Sequence, residues 1–207
     1  MRSSNLEKKC SHRSLIIFLL LVLTVFLGIG NNESFADNII TFGPRETKID
    51  GSIPYSVVGK YKAQFKVFKG EIRFDRDQQK ILSVYLAIKV NSIASNCPWC
   101  DNIVRSGRLL NTRRFPNIIF QSDKIIHDDE GYKVKGVLEM HGIKRVMIFP
   151  FMFSMTDGFL DLQGSWIINR KDFDIYWNRV LDHGGVLVGD NMTVNWGIRE
   201  NLKRREL

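Results

Sequence analysis

The chain has 207 residues, 30 Lys and Arg against 22 Asp and Glu for a formal net charge of +8, and 44% hydrophobic residues. That apolar share supplies a packed core and excludes a disordered chain. The positive charge favours solubility and an anionic membrane surface. Its Lys and Arg are scattered rather than gathered on a basic face with interleaved aromatics, which argues against nucleic acid as a partner.

The first stretch reads as a leader. Arg2, Lys8, Lys9 and Arg13 form a basic region, residues 15–27 form an uncharged apolar run of 13, and Ser34 and Ala36 are small residues at the minus-three and minus-one positions of a cleavage site. This pattern predicts a secretory signal peptide over 1–36, cut after Ala36. The run falls short of the roughly 20 residues that a spanning helix needs. Cys10 precedes it and is badly placed for a lipid anchor. The expected domain is then 37–207, the size of one folding unit, in the periplasm or secreted.

From there the chain alternates. Residues 37–44 lead in, and 47–50 and 52–58 read as short strands around a turn at Gly51. Residues 62–69 alternate, and Gly70 predicts a bulge or bend before 71–75. After a polar turn at 75–79 comes a long strand, 81–90. It sets Val84, Leu86, Ile88 and Val90 on one side and Ser83 and Lys89 on the other, the two-residue period of a strand with one apolar face. Residues 96–110 read as a turn and a helix, closed by Phe115 and Pro116. A strand at 117–125, a turn from Asp128 to Gly131, and a strand at 132–141 follow, with Val134, Leu138 and Met140 in phase. Residues 146–155 are apolar on both faces, which predicts burial on both sides. Asp157 and Gly158 mark another hairpin turn. Leu160, Leu162, Trp166 and Ile168 share a face, as do Met192, Val194, Trp196 and Ile198, with an irregular aromatic stretch at 169–185 between them. Hairpin-connected strands with one helix predict an all-β fold, an eight-stranded antiparallel barrel able to hold an elongated ligand.

Several segments, in order, resemble the YceI-like family of secreted bacterial proteins with lipocalin-like barrels. Gly70 to Asp75 resembles that family's G-x-I-x-F-D strand. Ser92 and Ile93, then Asp101, Arg105, Ser106 and Leu109, resemble its crossing into a helix. Phe115 to Ser122 resembles Y-P-x-I-x-F-x-S, Gly136 to Gly142 resembles G-x-L-T-I-H-G, and Asn169 to Ile175 resembles x-R-x-D-F-G-I. Trp99 and Cys100 stand where an Arg usually precedes the helix Asp, and Asp174 replaces the usual Gly. The Cys pair is not a family hallmark.

The resemblance implies a binding protein whose barrel encloses an isoprenoid chain, such as the tail of a polyprenyl quinone. Removal of such a chain from water drives binding at roughly 25 cal/mol per Å². The expected lining is Phe74, Leu86, Ile88, Phe120, Leu138, Met140, Ile148, Leu162, Trp166 and Trp196; ordinary core packing is the competing reading for each. The irregular segments 92–115 and 169–190 are the expected gate. A homodimer would extend the ligand tunnel, and transient membrane contact would accompany lipid carriage.

Cys97 and Cys100, with Pro98 and Trp99 between them, are the sharpest local motif. Three readings stand: a structural disulfide in an oxidising compartment, a redox-active pair at a helix N-terminus, and half of a metal site that no second pair completes. His141 beside a turn reads as packing, His127 as isolated, and His183 as a loop residue within reach of a cavity mouth. Asp128 and Glu130 read as an exposed turn, and Arg170 with Asp172 as an ion pair fixing a loop. No nucleophile elbow, phosphate loop or zinc-protease helix is visible, which argues against an enzyme. The alternatives to lipid carriage are a periplasmic redox protein using the Cys pair and a filled barrel that binds a partner.

Overall fold

The computed structural model describes residues 37–55, 59–176 and 188–202; the leader expectation and His183 lie outside them. The alternating segments become eleven strands: β1 Asp37–Phe42, β2 Thr47–Tyr55, β3 Gly59–Phe65, β4 Phe68–Asp75, β5 Lys80–Lys89, β6 Ile93–Ala94, β7 Asn117–Asp128, β8 Gly131–Met140, β9 Ile143–Thr156, β10 Phe159–Asn169 and β11 Asn191–Asn201. Among the described residues one α-helix, α1 Pro98–Arg105, interrupts them. The strand order is β1-β4-β5-β7-β8-β9-β10-β11-β2-β3-β6, antiparallel throughout.

This sheet curls into a half-barrel. β9 pairs with β8 over 143–151 and then with β10 over 152–156, so one long strand carries the wall round the bend. At the other seam β3 and β4 follow each other with only Lys66 and Val67 between. Two of the strands beyond the expected eight are β1, which adds outside β4, and the two-residue β6, which adds outside β3. β6 is too short for an alternating run, so periodicity gives it little signal, and β1 falls in the stretch read as a lead-in.

Three local expectations are corrected. Gly51 is mid-strand in β2, paired with Val194 and Ala63, and makes no turn. Gly70 makes no bulge: it pairs with both Phe42 and Leu86. A Cβ there would lie 1.9 Å from Phe42 Cζ, so the glycine makes room for that ring. The register shift falls instead between Arg73 and Phe74, which sets Phe74 against Ile81 and turns Leu82 outward. The third correction concerns β9. Phe149 and Phe151 are buried, but Val146, Ile148 and Met152 are 62%, 55% and 63% exposed. Both faces of this strand are apolar, so the sequence offered no phase; pairing of Phe149 with buried Val134 decides it.

The hairpin turns are as the sequence expects. His141 and Gly142 (φ 55° and 80°) and Asp157 and Gly158 (φ 56° and 84°) take positive φ at both central positions, the geometry whose twist matches two-residue hairpins. Ile40, Ile72, Phe74, Leu160 and Phe173 are completely buried, each worth about 1.5–3 kcal/mol relative to exposure.

Candidate ligand cavity

The inward residues of the curled sheet do not meet in the middle. They leave a cavity of about 370 Å³, lined by Ile49 of β2, Ala63 of β3, Val84, Leu86 and Ile88 of β5, Phe120 of β7, Leu138 and Met140 of β8, Phe149 of β9, Leu162 and Trp166 of β10, and Val194, Trp196 and Ile198 of β11. Trp99, Ile103, Val104, Leu109 and Leu110, from the helix and the segment after it, complete the lining. Small-molecule sites commonly enclose about 300–1,000 Å³ with mostly apolar walls.

An aromatic cluster shapes one wall. Phe149 and Trp166 stack with centroids 4.1 Å apart and planes 7° apart, Trp166 meets Trp196 edge-on at 5.2 Å, and Phe120 lies 6.0 Å from Trp166. Gly164 carries no side chain to collide with the Trp196 indole, whose Nε1 would lie 2.7 Å from a Cβ at that position. Two polar atoms on the lining, Thr47 Oγ1 and Trp196 Nε1, are buried with no hydrogen-bond partner among the described residues.

Of the ten residues expected to line a cavity, the structure brings Leu86, Ile88, Phe120, Leu138, Met140, Leu162, Trp166 and Trp196 together on its wall. Phe74 instead packs in the core, 6.3 Å from the Phe153 ring, away from the lining. Ile148 is corrected outright: it faces outward on β9. Ile49, Ala63, Val194 and the helix residues were missed. The in-phase pattern of β11 could have given Val194, whereas Ile49 sits where Gly51 suggested a break and Ala63, in the alternating run 62–69, is too small a side chain to stand out.

The helix over the cavity end is pinned from below. Pro98 occupies its first turn, where the missing N–H is no loss. Cys97 is the N-cap, its Sγ accepting from the Cys100 N–H at 3.3 Å, and Cys97 and Cys100 are joined in a disulfide. Neither sulfur is therefore a thiolate available to a metal. Asp101, buried, accepts from Tyr61 Oη at 2.7 Å, Ser95 Oγ at 2.6 Å and the Ser95 N–H at 3.0 Å. Burial pushes its carboxyl up, but the Ser95 and Tyr61 hydrogen bonds and the Arg105 charge outweigh burial and hold it below the usual carboxylate range. The same burial, with the bond to Asp101, raises the Tyr61 phenol. Arg105 donates to the Asn91 and Ile93 carbonyls, fixing the segment before the helix.

Arg170 is 1% exposed and borders the cavity. Its guanidinium donates to the carbonyls of Ile175, Val188 and Gly189 and pairs with Asp190 at 3.1 Å. The expected Asp172 partner is corrected: the Asp172 carbonyl accepts from Arg145. The Lys171 hydrogen bond, with the charges of Lys171 and Arg170, holds the Asp190 carboxyl down against its desolvation. His141 Nδ1 lies 3.1 Å from the Phe173 carbonyl and its ring 4.3 Å from Phe115; His127 stacks on Tyr132 at 4.0 Å. Lys133 holds Asp128 and Glu130.

A curled antiparallel sheet around an apolar cavity, with one helix at its end, defines the class of all-β, cavity-bearing barrels. The chain belongs to the YceI-like family, whose domain matches residues 41–199. A UPF0312 protein of Staphylococcus aureus (strain N315) is 26% identical over 160 residues, covering 73% of this chain and 91% of that protein. Among solved structures, Burkholderia cenocepacia BcnA superposes with a TM-score of 0.65 at 19% identity, covering 75% of this chain and 97% of that one. A polyisoprenoid binding domain from Saccharophagus degradans, implicated in plant cell wall breakdown, gives 0.59 at 11% identity, covering 80% and 99%. At these identities the likeness is one of fold.

Proposed function

We propose that this protein is an exported carrier that sequesters an isoprenoid lipid, such as a polyprenyl quinone, in its barrel. The carrying observation is the cavity itself: about 370 Å³ walled by apolar and aromatic side chains from both halves of the sheet, with a helix at one end. A prenyl chain offers apolar surface along its length, and all but a few atoms of this wall are apolar. The polyisoprenoid-binding description of the Saccharophagus degradans domain, which shares the fold, supports the ligand class. The leader-like pattern in residues 1–36 supports export. The chemistry is binding rather than catalysis.

The test is chemical extraction. Protein purified from its native membrane-containing extract is denatured, and the released organic fraction is analysed by mass spectrometry. A stoichiometric prenyl species is expected. Leu138→Glu, which sets a carboxylate on the wall, is expected to lose the lipid while keeping its circular dichroism. An empty fraction that stays empty after incubation with polyprenyl quinones and polyprenyl phosphates would overturn the reading.

A further inference from the structure

The wall of the barrel is not uniformly laddered. Pairing between β9 and β10 runs from Thr156 and Phe159 to Met152 and Gln163 and stops there. β9 continues to Ile143 on β8, and β10 continues to Asn169 on β11. Along this stretch side chains join the two sides in place of a backbone ladder. Trp166 Nε1 donates to the Pro150 carbonyl at 2.9 Å, and Arg145 Nε donates to the Asp172 carbonyl at 3.0 Å. Pro150 supplies a local cause. In an antiparallel strand the N–H and C=O of one residue point to the same side. The Pro150 carbonyl points to β10, so the N–H that proline lacks is one that the seam would need.

The seam connects inside to outside. Within, the stacked rings of Phe149 and Trp166 lie across it and line the cavity. Outside, Ile148 and Ile167, the chain neighbours of the stacked Phe149 and Trp166, are 55% and 66% exposed, and Val146 and Met152 extend the apolar stripe along β9. Next to the stripe, Lys135 lies directly opposite Ile148, and Lys124 directly opposite Lys135. Like charges directly opposite on one face repel. Nearby Lys133 and Lys144 are neutralised by Asp128, Glu130 and Glu139, whereas Lys124 and Lys135 have no ion pair among the described residues. An anionic surface would relieve that repulsion while the adjacent isoleucines enter apolar surroundings.

We propose that the β9–β10 seam is a lateral portal, and that the face bearing Ile148, Ile167, Lys124 and Lys135 docks it on an anionic lipid bilayer, from which the ligand passes into the cavity beside Trp166. The inference rests on the isoprenoid-carrier reading, but its docking half is measurable without it. All four side chains are outside the cavity, so substituting them leaves the lining intact.

The experiment uses the full-length processed protein and two variants, Ile148→Glu with Ile167→Glu, and Lys124→Gln with Lys135→Gln. Vesicles of phosphatidylglycerol and phosphatidylcholine are compared with phosphatidylcholine alone by co-sedimentation. Transfer of a fluorescent prenyl quinone from vesicle to protein gives a rate, and equilibrium binding of the same quinone in detergent micelles gives an affinity. The native chain is expected to sediment with the anionic vesicles. The glutamate pair is expected to lose that association and slow transfer at least ten-fold, with micellar affinity unchanged. The glutamine pair is expected to lose the preference for anionic over neutral vesicles. Native-like co-sedimentation and transfer in the glutamate pair would overturn the portal. Absent micellar binding by the native chain would overturn the carrier reading instead, while co-sedimentation would still decide the docking face.

Discussion

Asp101 is a buried carboxylate on a helix that carries one other charge nearby, Arg105, 3.9 Å away. Its three short hydrogen bonds are what hold its carboxyl low. Because the folded-state pKa is depressed, the stabilisation is present in full above the unfolded carboxylate pKa, about 4, and is lost as pH falls through the folded value. Asp101→Asn is expected to lower stability by about 2 kcal/mol near neutral pH, the scale of hydrogen bonds to a charged group, and to flatten the loss of stability below about pH 4. Urea midpoints between pH 3 and 7 check both; an unchanged acid slope would count against the assignment. The sequence marked Asp101 and Arg105 through their family-like spacing. It could not mark Tyr61, which lies 40 residues away and reaches Asp101 only because β3 runs under the helix. Arg170 shows the same limit: its charge partner is 20 residues on, not the Asp two positions away that proximity suggested.

At the scale of the element, α1 is short, eight residues, and such a helix is marginal alone. Tertiary ties hold it: the Asp101 network below, Arg105 on the preceding carbonyls, and the disulfide across its first turn. The bridge closes a loop of only three residues' separation, so its entropic contribution is about 2 kcal/mol. Replacing Cys97 and Cys100 together by Ser is therefore expected to leave the barrel folded, lower its thermal midpoint by several degrees, and speed exchange of bound lipid at the helix end. Differential scanning calorimetry and a stopped-flow exchange assay read these out. Unchanged lipid exchange would show that the staple does not restrain the cavity end. The Cys motif was legible from sequence, but not its state, since one C-x-x-C spacing serves a staple, a redox pair or a metal half-site. β9 is the opposite case: its existence was clear and its facing was not, because apolar residues occupy both sides and only pairing with β8 selects Phe149 for the interior and Ile148 for the surface.

For the molecule as a whole, the question is whether the barrel is hollow. Ala63 lies on the wall, 6% exposed. Overpacking a filled core costs about 1–3 kcal/mol, whereas a side chain entering free space costs little. Ala63→Phe is expected to change stability by less than about 1 kcal/mol while weakening prenyl quinone binding at least ten-fold. Chemical denaturation and micellar titration measure the two effects. A large destabilisation with intact binding would mean that this part of the wall has no space behind it.

The alternation that makes strands, the turn residues that join them, the helix and the family can all be read along the chain, because each is written in short spacings. So can the apolar side of β5, β8, β10 and β11. That those sides enclose a cavity, that β9 turns Ile148 outward and that its ladder to β10 stops at Met152 follow only from how the strands assemble. The physical reason is common to all three. An inward apolar residue has the same sequence signature whether it meets another side chain or open space, and a hydrogen bond between strands depends on where two distant backbones come to lie.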